Sequence, residues 1–143
     1  MKPIKILLVE DDPGHALLIK KNLRRAGITA EIIFINNGQS ALDYLDANSC
    51  EQGKYDLLIL LDLNLPVLNG FEVLERIKSD GRTKKIPVII LTTTDVPQEI
   101  ARCYELGCNI FITKPVQYDE FCIAISNLGL LLSILKFPQF GLR

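Results

Sequence analysis

Tyr55-Asp-Leu-Leu-Ile-Leu-Leu-Asp62-Leu-Asn64-Leu-Pro66-Val-Leu-Asn-Gly70 is the stretch on which the reading of the whole chain turns. An apolar run bounded by turn residues reads as a strand buried on both faces, as a parallel sheet requires. It ends in Asp62, a carboxylate with no ion-pair partner in the local sequence. Burying a charge without partners costs too much free energy, so partners must arrive from elsewhere in the chain. In an open parallel sheet the place for a reactive group is just beyond the carboxyl end of a central strand, where the Asn-Leu-Pro turn puts Asp62.

Working outward, the same unit recurs. Ile4–Val9 is a short apolar strand that stops abruptly at Glu10-Asp11-Asp12-Pro13. Asp12 can cap a helix with Pro13 at its first position, and Ala16, Ile19, Leu23 and Ala26 form one buried stripe that Gly27 terminates. Residues 30–35 read as a second strand, Asn37-Gly38 as a cap, and Ala41, Leu42 and Leu45 as the inner side of a second helix. Beyond Gly70 the helix presents Phe71, Leu74 and Ile77 inward and closes at Ser79-Asp80-Gly81. Residues 87–91 read as a fourth strand, Asp95 and Gln98 as a capping box for a fourth helix ending at Gly107, and Ile110–Thr113 as a fifth strand. A last helix is expected over 118–135. Five strands alternating with five helices imply a doubly wound α/β fold, a parallel sheet covered on both faces.

At 143 residues the chain is one ordinary domain. Its 16 basic and 17 acidic residues leave no electrostatic footprint for nucleic acid. Cys50, Cys103, Cys108 and Cys122 form no C-x-x-C pair, so reduced thiols and a cytoplasmic location are expected. No signal peptide is evident, and no segment reaches the roughly 20 apolar residues of a membrane span.

If the strands are parallel, one edge of the sheet collects Glu10, Asp11, Asp62, Thr92 and Lys114. Three close carboxylates repel one another, and a hard divalent cation that keeps several waters, Mg²⁺, is the simplest neutraliser. An ionised Asp can act as a nucleophile toward phosphorus. A metal, an ammonium and a hydroxyl can stabilise the charge on the transferring phosphoryl group, which matches Mg²⁺, Lys114 and Thr92.

Four ordered motifs then carry a resemblance over nearly the whole chain: Leu-Leu-Val-Glu10-Asp11-Asp12, Leu-Leu-Asp62-Leu-Asn-Leu-Pro-Val-Leu-Asn-Gly70, Ile-Pro-Val-Ile-Ile-Leu-Thr92 and Phe111-Ile-Thr-Lys114-Pro115. The chain resembles the response-regulator receiver domains of two-component signalling. The resemblance implies a flavodoxin-like fold with strand order 2-1-3-4-5 and a signalling protein, not an enzyme, phosphorylated on Asp62 by a partner histidine kinase. It also implies metal ligation by Asp11, Glu10, Asp62 and the Asn64 carbonyl, and phosphoryl contacts from Thr92 and Lys114. Phe111 stands at the aromatic switch position, where the family commonly has Tyr, and Thr93 where it often has Ala. A cis Lys114–Pro115 bond is common in relatives. Ala41-Leu-Asp-Tyr-Leu45, Cys103-Tyr-Glu-Leu-Gly107 and the long last helix resemble, more narrowly, the stand-alone regulators that serve cyanobacterial phytochromes.

Two other functions compete. A haloacid-dehalogenase-like phosphatase would want a second Asp two residues after the nucleophile, where this chain has Asn64. A pseudo-receiver, a pure binding module, would be expected to have lost one of the five site groups. The expected organisation is a receiver unit over 1–136, a short loose tail over 137–143 and no effector domain. In the last helix and just beyond it Ile123, Leu130, Leu131, Ile134 and Phe137 lie off the core-facing stripe, which predicts a homodimer through the fourth helix, fifth strand and fifth helix. Gly129 would serve close helix approach or a bend. His15, the only histidine, is expected to be exposed at the start of the first helix.

Overall fold

Residues 2–51 and 53–134 are described by a computed structural model. The chain runs β1 (Ile4–Val9), α1 (Pro13–Arg25), β2 (Glu31–Ile35), α2 (Gly38–Ala47), a single 3-10 turn at Ser49–Glu51, β3 (Asp56–Leu61), α3 (Gly70–Ser79), β4 (Val88–Thr92), α4 (Pro97–Leu106), β5 (Ile110–Thr113) and α5 (Tyr118–Ile134). All strand pairings are parallel, in the order β2-β1-β3-β4-β5. This is the doubly wound, flavodoxin-like arrangement expected from the sequence. The expected tail over 137–143 and the end of the last helix near residue 135 lie outside the described residues.

After Asp56, which opens it, strand β3 is apolar because it faces a helical layer on each side. Leu57, Ile59 and Leu61 join the core under α2, α3 and α4, while Leu58 and Leu60 join the core under α1 and α5. Each strand residue therefore alternates between two dry layers, and no position is left for a polar side chain until the strand ends. On the α1 and α5 side, Phe121, Ile125, Leu128 and Leu132 form the buried stripe of α5. A Cβ at Gly129 would come within 2.5 Å of the Ala26 side chain, so Gly129 serves close approach of α5 to the end of α1.

Several local expectations hold, and others need correction. Asp12 caps α1 by accepting from the Gly14 and His15 amides, and Asn37 caps α2 by accepting from Ser40. Gly107 ends α4 with φ 106°. The Asp95 capping box does not form: Val96 is the N-cap without a side-chain bond, because Pro97 with its fixed φ begins α4 two residues later. A capping box occurs instead at α3, between Asn69 and Glu72. Phe71 is half-buried, with the Arg102 guanidinium 4.4 Å over its ring, and Val73 takes the fully buried place. Every peptide bond among the described residues is trans, Lys114–Pro115 included. Among the described residues no helix is long and apolar enough to cross a membrane.

Candidate functional site at the carboxyl edge of the sheet

Glu10, Asp62 and Lys114 each follow the last residue of a strand while their backbones stay in the ladder, and Thr92 closes its strand. The Glu10 amide donates to the Ile35 carbonyl at 2.9 Å and the Asp62 amide to the Val9 carbonyl at 3.0 Å. The Lys114 amide donates to the Thr92 carbonyl at 2.6 Å. Side-chain direction is thus set by the pleat of a sheet whose register is determined by its apolar faces. The α3 N-terminus approaches closely behind the site: a Cβ at Gly70 would lie 2.3 Å from the Asp62 carbonyl oxygen.

The partners that Asp62 lacks locally arrive from two other strands. Asp62 is buried, and its Oδ1 accepts from the Thr92 hydroxyl at 2.6 Å and from the Asn64 amide at 3.2 Å. Its Oδ2 faces the Lys114 ammonium at 3.3 Å. Lys114 also donates to Glu10 Oε1, while Glu10 Oε2 accepts from the Asp12 amide at 3.1 Å. Both lone-pair directions of Asp62 Oδ1 are used, whereas Oδ2 has a single protein donor and keeps one direction open. Burial pushes the Glu10 carboxyl above the usual glutamate range, against the opposing pull of Lys114.

Oxygen atoms of Glu10, Asp11 and Asp62 all lie within 4.8 Å of one another, with Asp11 exposed to solvent and the other two buried. Hard oxygen donors of this number, with one open to water, fit a divalent hard cation. Two buried carboxylates against a single buried ammonium also leave negative charge in excess, which a cation would relieve.

Asn64 is an exposed residue of the loop after β3, three residues before Val67, whose φ of 70° and the 2.8 Å bond from the Leu68 amide to the Pro66 carbonyl make a strained γ-turn. Phe111 is half-buried on the edge strand β5, outside the carboxylate cluster. Its amide donates to the Tyr104 hydroxyl of α4 at 3.0 Å, a tie that sequence reading missed. His15 also requires correction. Its side chain is 34% exposed, its Nδ1 lies 3.2 Å from the Lys114 ammonium, and its ring packs against Phe121. The available signal was topological: the first turn of α1 starts at the same edge of the sheet as Lys114.

Comparison with known proteins agrees with this geometry. The response regulator receiver domain family matches residues 6–126. The response regulator Rcp1 of Synechocystis is 39% identical over 117 residues, covering 78% of this chain and 77% of Rcp1. The crystal structure of a response regulator receiver domain from Rhodospirillum rubrum is 49% identical and superimposes with a TM-score of 0.90 over 95% of this chain and 98% of that one. The phosphorylated cyanobacterial phytochrome response regulator RcpA is 35% identical, with a TM-score of 0.85 over 94% of this chain and 97% of that one. With an acidic cluster, a buried hydroxyl and a buried lysine gathered round one aspartate, and a family match over most of its length, this chain belongs to the response regulator receiver domains.

Proposed function

We propose that Asp62 is the phosphoacceptor and that its donor is a phosphohistidine of a sensor kinase. The observation that carries this reading is the Asp62 carboxylate itself, buried, held through Oδ1 by Thr92 and Asn64, and left with an open direction at Oδ2 beside Lys114. In the transfer, an Asp62 oxygen attacks phosphorus and an O–P bond forms as the P–N bond breaks. The electron pair leaves with the donor imidazole. Lys114 and the Thr92 hydroxyl are placed to stabilise the charge on the peripheral oxygens. Glu10, Asp11, Asp62 and the Asn64 carbonyl would hold Mg²⁺, which when bound supplies further positive charge there. The haloacid-dehalogenase-like and pseudo-receiver alternatives are not favoured, since position 64 is Asn and all five site groups are present. Replacement of Asp62 by Asn keeps the shape and removes the nucleophile. Labelling from phosphohistidine or acetyl phosphate should vanish, and labelling at the wild-type level would refute the assignment.

The signal is read as passing through Thr92 and Phe111. A hydroxyl drawn toward a new phosphoryl group vacates space that the ring can enter, biasing a two-state surface. That surface is proposed to be a homodimer face on α4, β5 and α5, where Tyr104, Ile123, Leu130 and Ile134 are exposed. Light scattering should give twice the chain mass, and Leu130→Glu should return it to monomer.

The kinase is proposed to be of the phytochrome type, in the cytoplasm. The support is the likeness to Rcp1 and RcpA and to the bacteriophytochrome response regulator RtBRR, 38% identical with a TM-score of 0.72. Transfer from a light-regulated histidine kinase should outpace transfer from kinases with other sensors. Residues 1–136 are read as one receiver unit acting through protein contacts.

A further inference from the structure

The Lys114 ammonium carries three hydrogens, and three acceptors surround it. Two are the carboxylates of Glu10 and Asp62, and the third is Nδ1 of His15 at 3.2 Å. We propose that His15 is a positioning residue for phosphoryl acceptance: its Nδ1 lone pair holds one Lys114 proton and so aims the other two at the carboxylate cluster. This rests on the reading of Asp62 and Lys114 given above.

The proton bookkeeping decides the form of the imidazole. An ammonium has no lone pair, so a ring nitrogen that bonds to it must be the acceptor, which places the ring proton on Nε2. The competing arrangement would protonate Nδ1 for an ion pair with Asp12 Oδ2. That contact is 3.8 Å, beyond hydrogen-bond length, and it would aim an N–H at the neighbouring ammonium.

The imidazole is itself held in place, as a positioning group must be. The His15 amide donates to the Asp12 cap at 3.2 Å, tying the backbone to the first turn of α1. The ring packs on Phe121 of α5 with centroids 5.6 Å apart and planes inclined by 47°. An ammonium turns about its Cε–Nζ bond with threefold symmetry, so anchoring one hydrogen sets the direction of the other two. The Lys114 side chain is only 1% exposed, and little water is at hand to play the same part. The anchor stays where it is when a phosphoryl oxygen becomes an acceptor beside Asp62, so the lysine meets the transferring group already aimed.

The test uses the full chain with acetyl phosphate and saturating Mg²⁺. His15→Leu keeps an apolar group against Phe121 and removes the lone pair; the rate of Asp62 labelling should fall about tenfold, the lower end of the scale for one hydrogen bond to a charged group. His15→Asn offers a carbonyl oxygen in place of Nδ1 and should return the rate to within about twofold of wild type. Nitrogen-15 NMR of the unphosphorylated wild type should show the ring proton on Nε2, the commoner tautomer, together with an Nδ1 resonance that moves in Lys114→Met, a response that a merely space-filling histidine has no reason to display. A His15→Leu rate equal to wild type, equal slowing by Leu and Asn, or a ring proton on Nδ1 would each overturn the proposal. Asp62→Asn, run alongside, separates the two levels. Silence there with an unaffected His15→Leu removes only the positioning role, whereas persistent labelling removes the phosphoacceptor reading beneath it.

Discussion

Lys114 and Lys78 are both lysines drawn into the protein, at opposite ends of the same sheet. Lys114 follows β5 at the carboxyl edge and meets two buried carboxylates and an imidazole. Lys78, at the end of α3, reaches the Lys84 and Ile86 carbonyls at 2.9 and 2.7 Å, and Asn109 Oδ1 at 3.5 Å. Those acceptors belong to the approaches to β4 and β5, so the Lys78 side chain ties two connections at the amino edge. The Asn109 side chain completes the tie by accepting from the Val88 amide at 2.8 Å. One ammonium is held by neutral dipoles that cannot move and carries architecture. The other is held by carboxylates whose charge would change on arrival of the proposed phosphoryl group or cation, and the proposed chemistry is concentrated there.

The largest expected separation between them is kinetic. Lys114→Met should slow Asp62 labelling by about 10²–10³-fold, the usual consequence of deleting one charge-stabilising donor. The same substitution at position 78 should leave the rate within about twofold, since nothing at the amino edge touches the site. A slow Lys78→Met variant, measured with acetyl phosphate under identical conditions, would break the division. Asp11→Ala sharpens it from the other partner: Mg²⁺ affinity by titration should drop by at least about 100-fold, the upper end of what even a supporting contact costs, with circular dichroism unchanged.

Stability should show the reverse asymmetry. Lys78→Met removes a donor and leaves carbonyls of the α3–β4 connection without it, which costs about 1–3 kcal/mol in denaturant unfolding. A loss below about 0.5 kcal/mol would reduce Lys78 to surface decoration. The smallest effect is a pH slope. Desolvation holds the Lys78 amine below the ordinary lysine range. In the window between that lowered value and the ordinary one, the unfolded chain binds more protons than the folded one, so this group's contribution to stability rises with pH. Wild type should therefore gain slightly relative to Lys78→Met as the solution is made alkaline toward the ordinary lysine pKa. A parallel pair of stability curves would show that the carbonyl acceptors cancel the desolvation.

Much of the carboxyl edge was legible because its chemistry is written at strand ends. A short apolar run bounded by turn residues reads as a strand between two layers, its first polar residue emerges at the edge, and four such ends name Glu10, Asp62, Thr92 and Lys114 with Asp11 beside them. The α3 capping box was equally local, Asn69 followed by Glu72 three residues on, and pattern alone could have found it. The Asp95 box failed for a local reason too, since Pro97 outcompetes a side-chain cap in choosing where α4 begins.

What sequence by itself determined was the alternation of elements, the parallel sheet and the residue types at its active edge, because period, turn chemistry and burial cost act over a few neighbours. The tertiary structure alone decided which donors meet which acceptors. His15 and Lys114 are 99 residues apart in the chain, and the Asn109 side chain meets the Val88 amide across 21. Gly129 could have meant a bend or a contact until Ala26 was seen beneath it. Such contacts depend on where packed helices come to rest against the sheet, to within a fraction of an ångström, and no local preference specifies that distance.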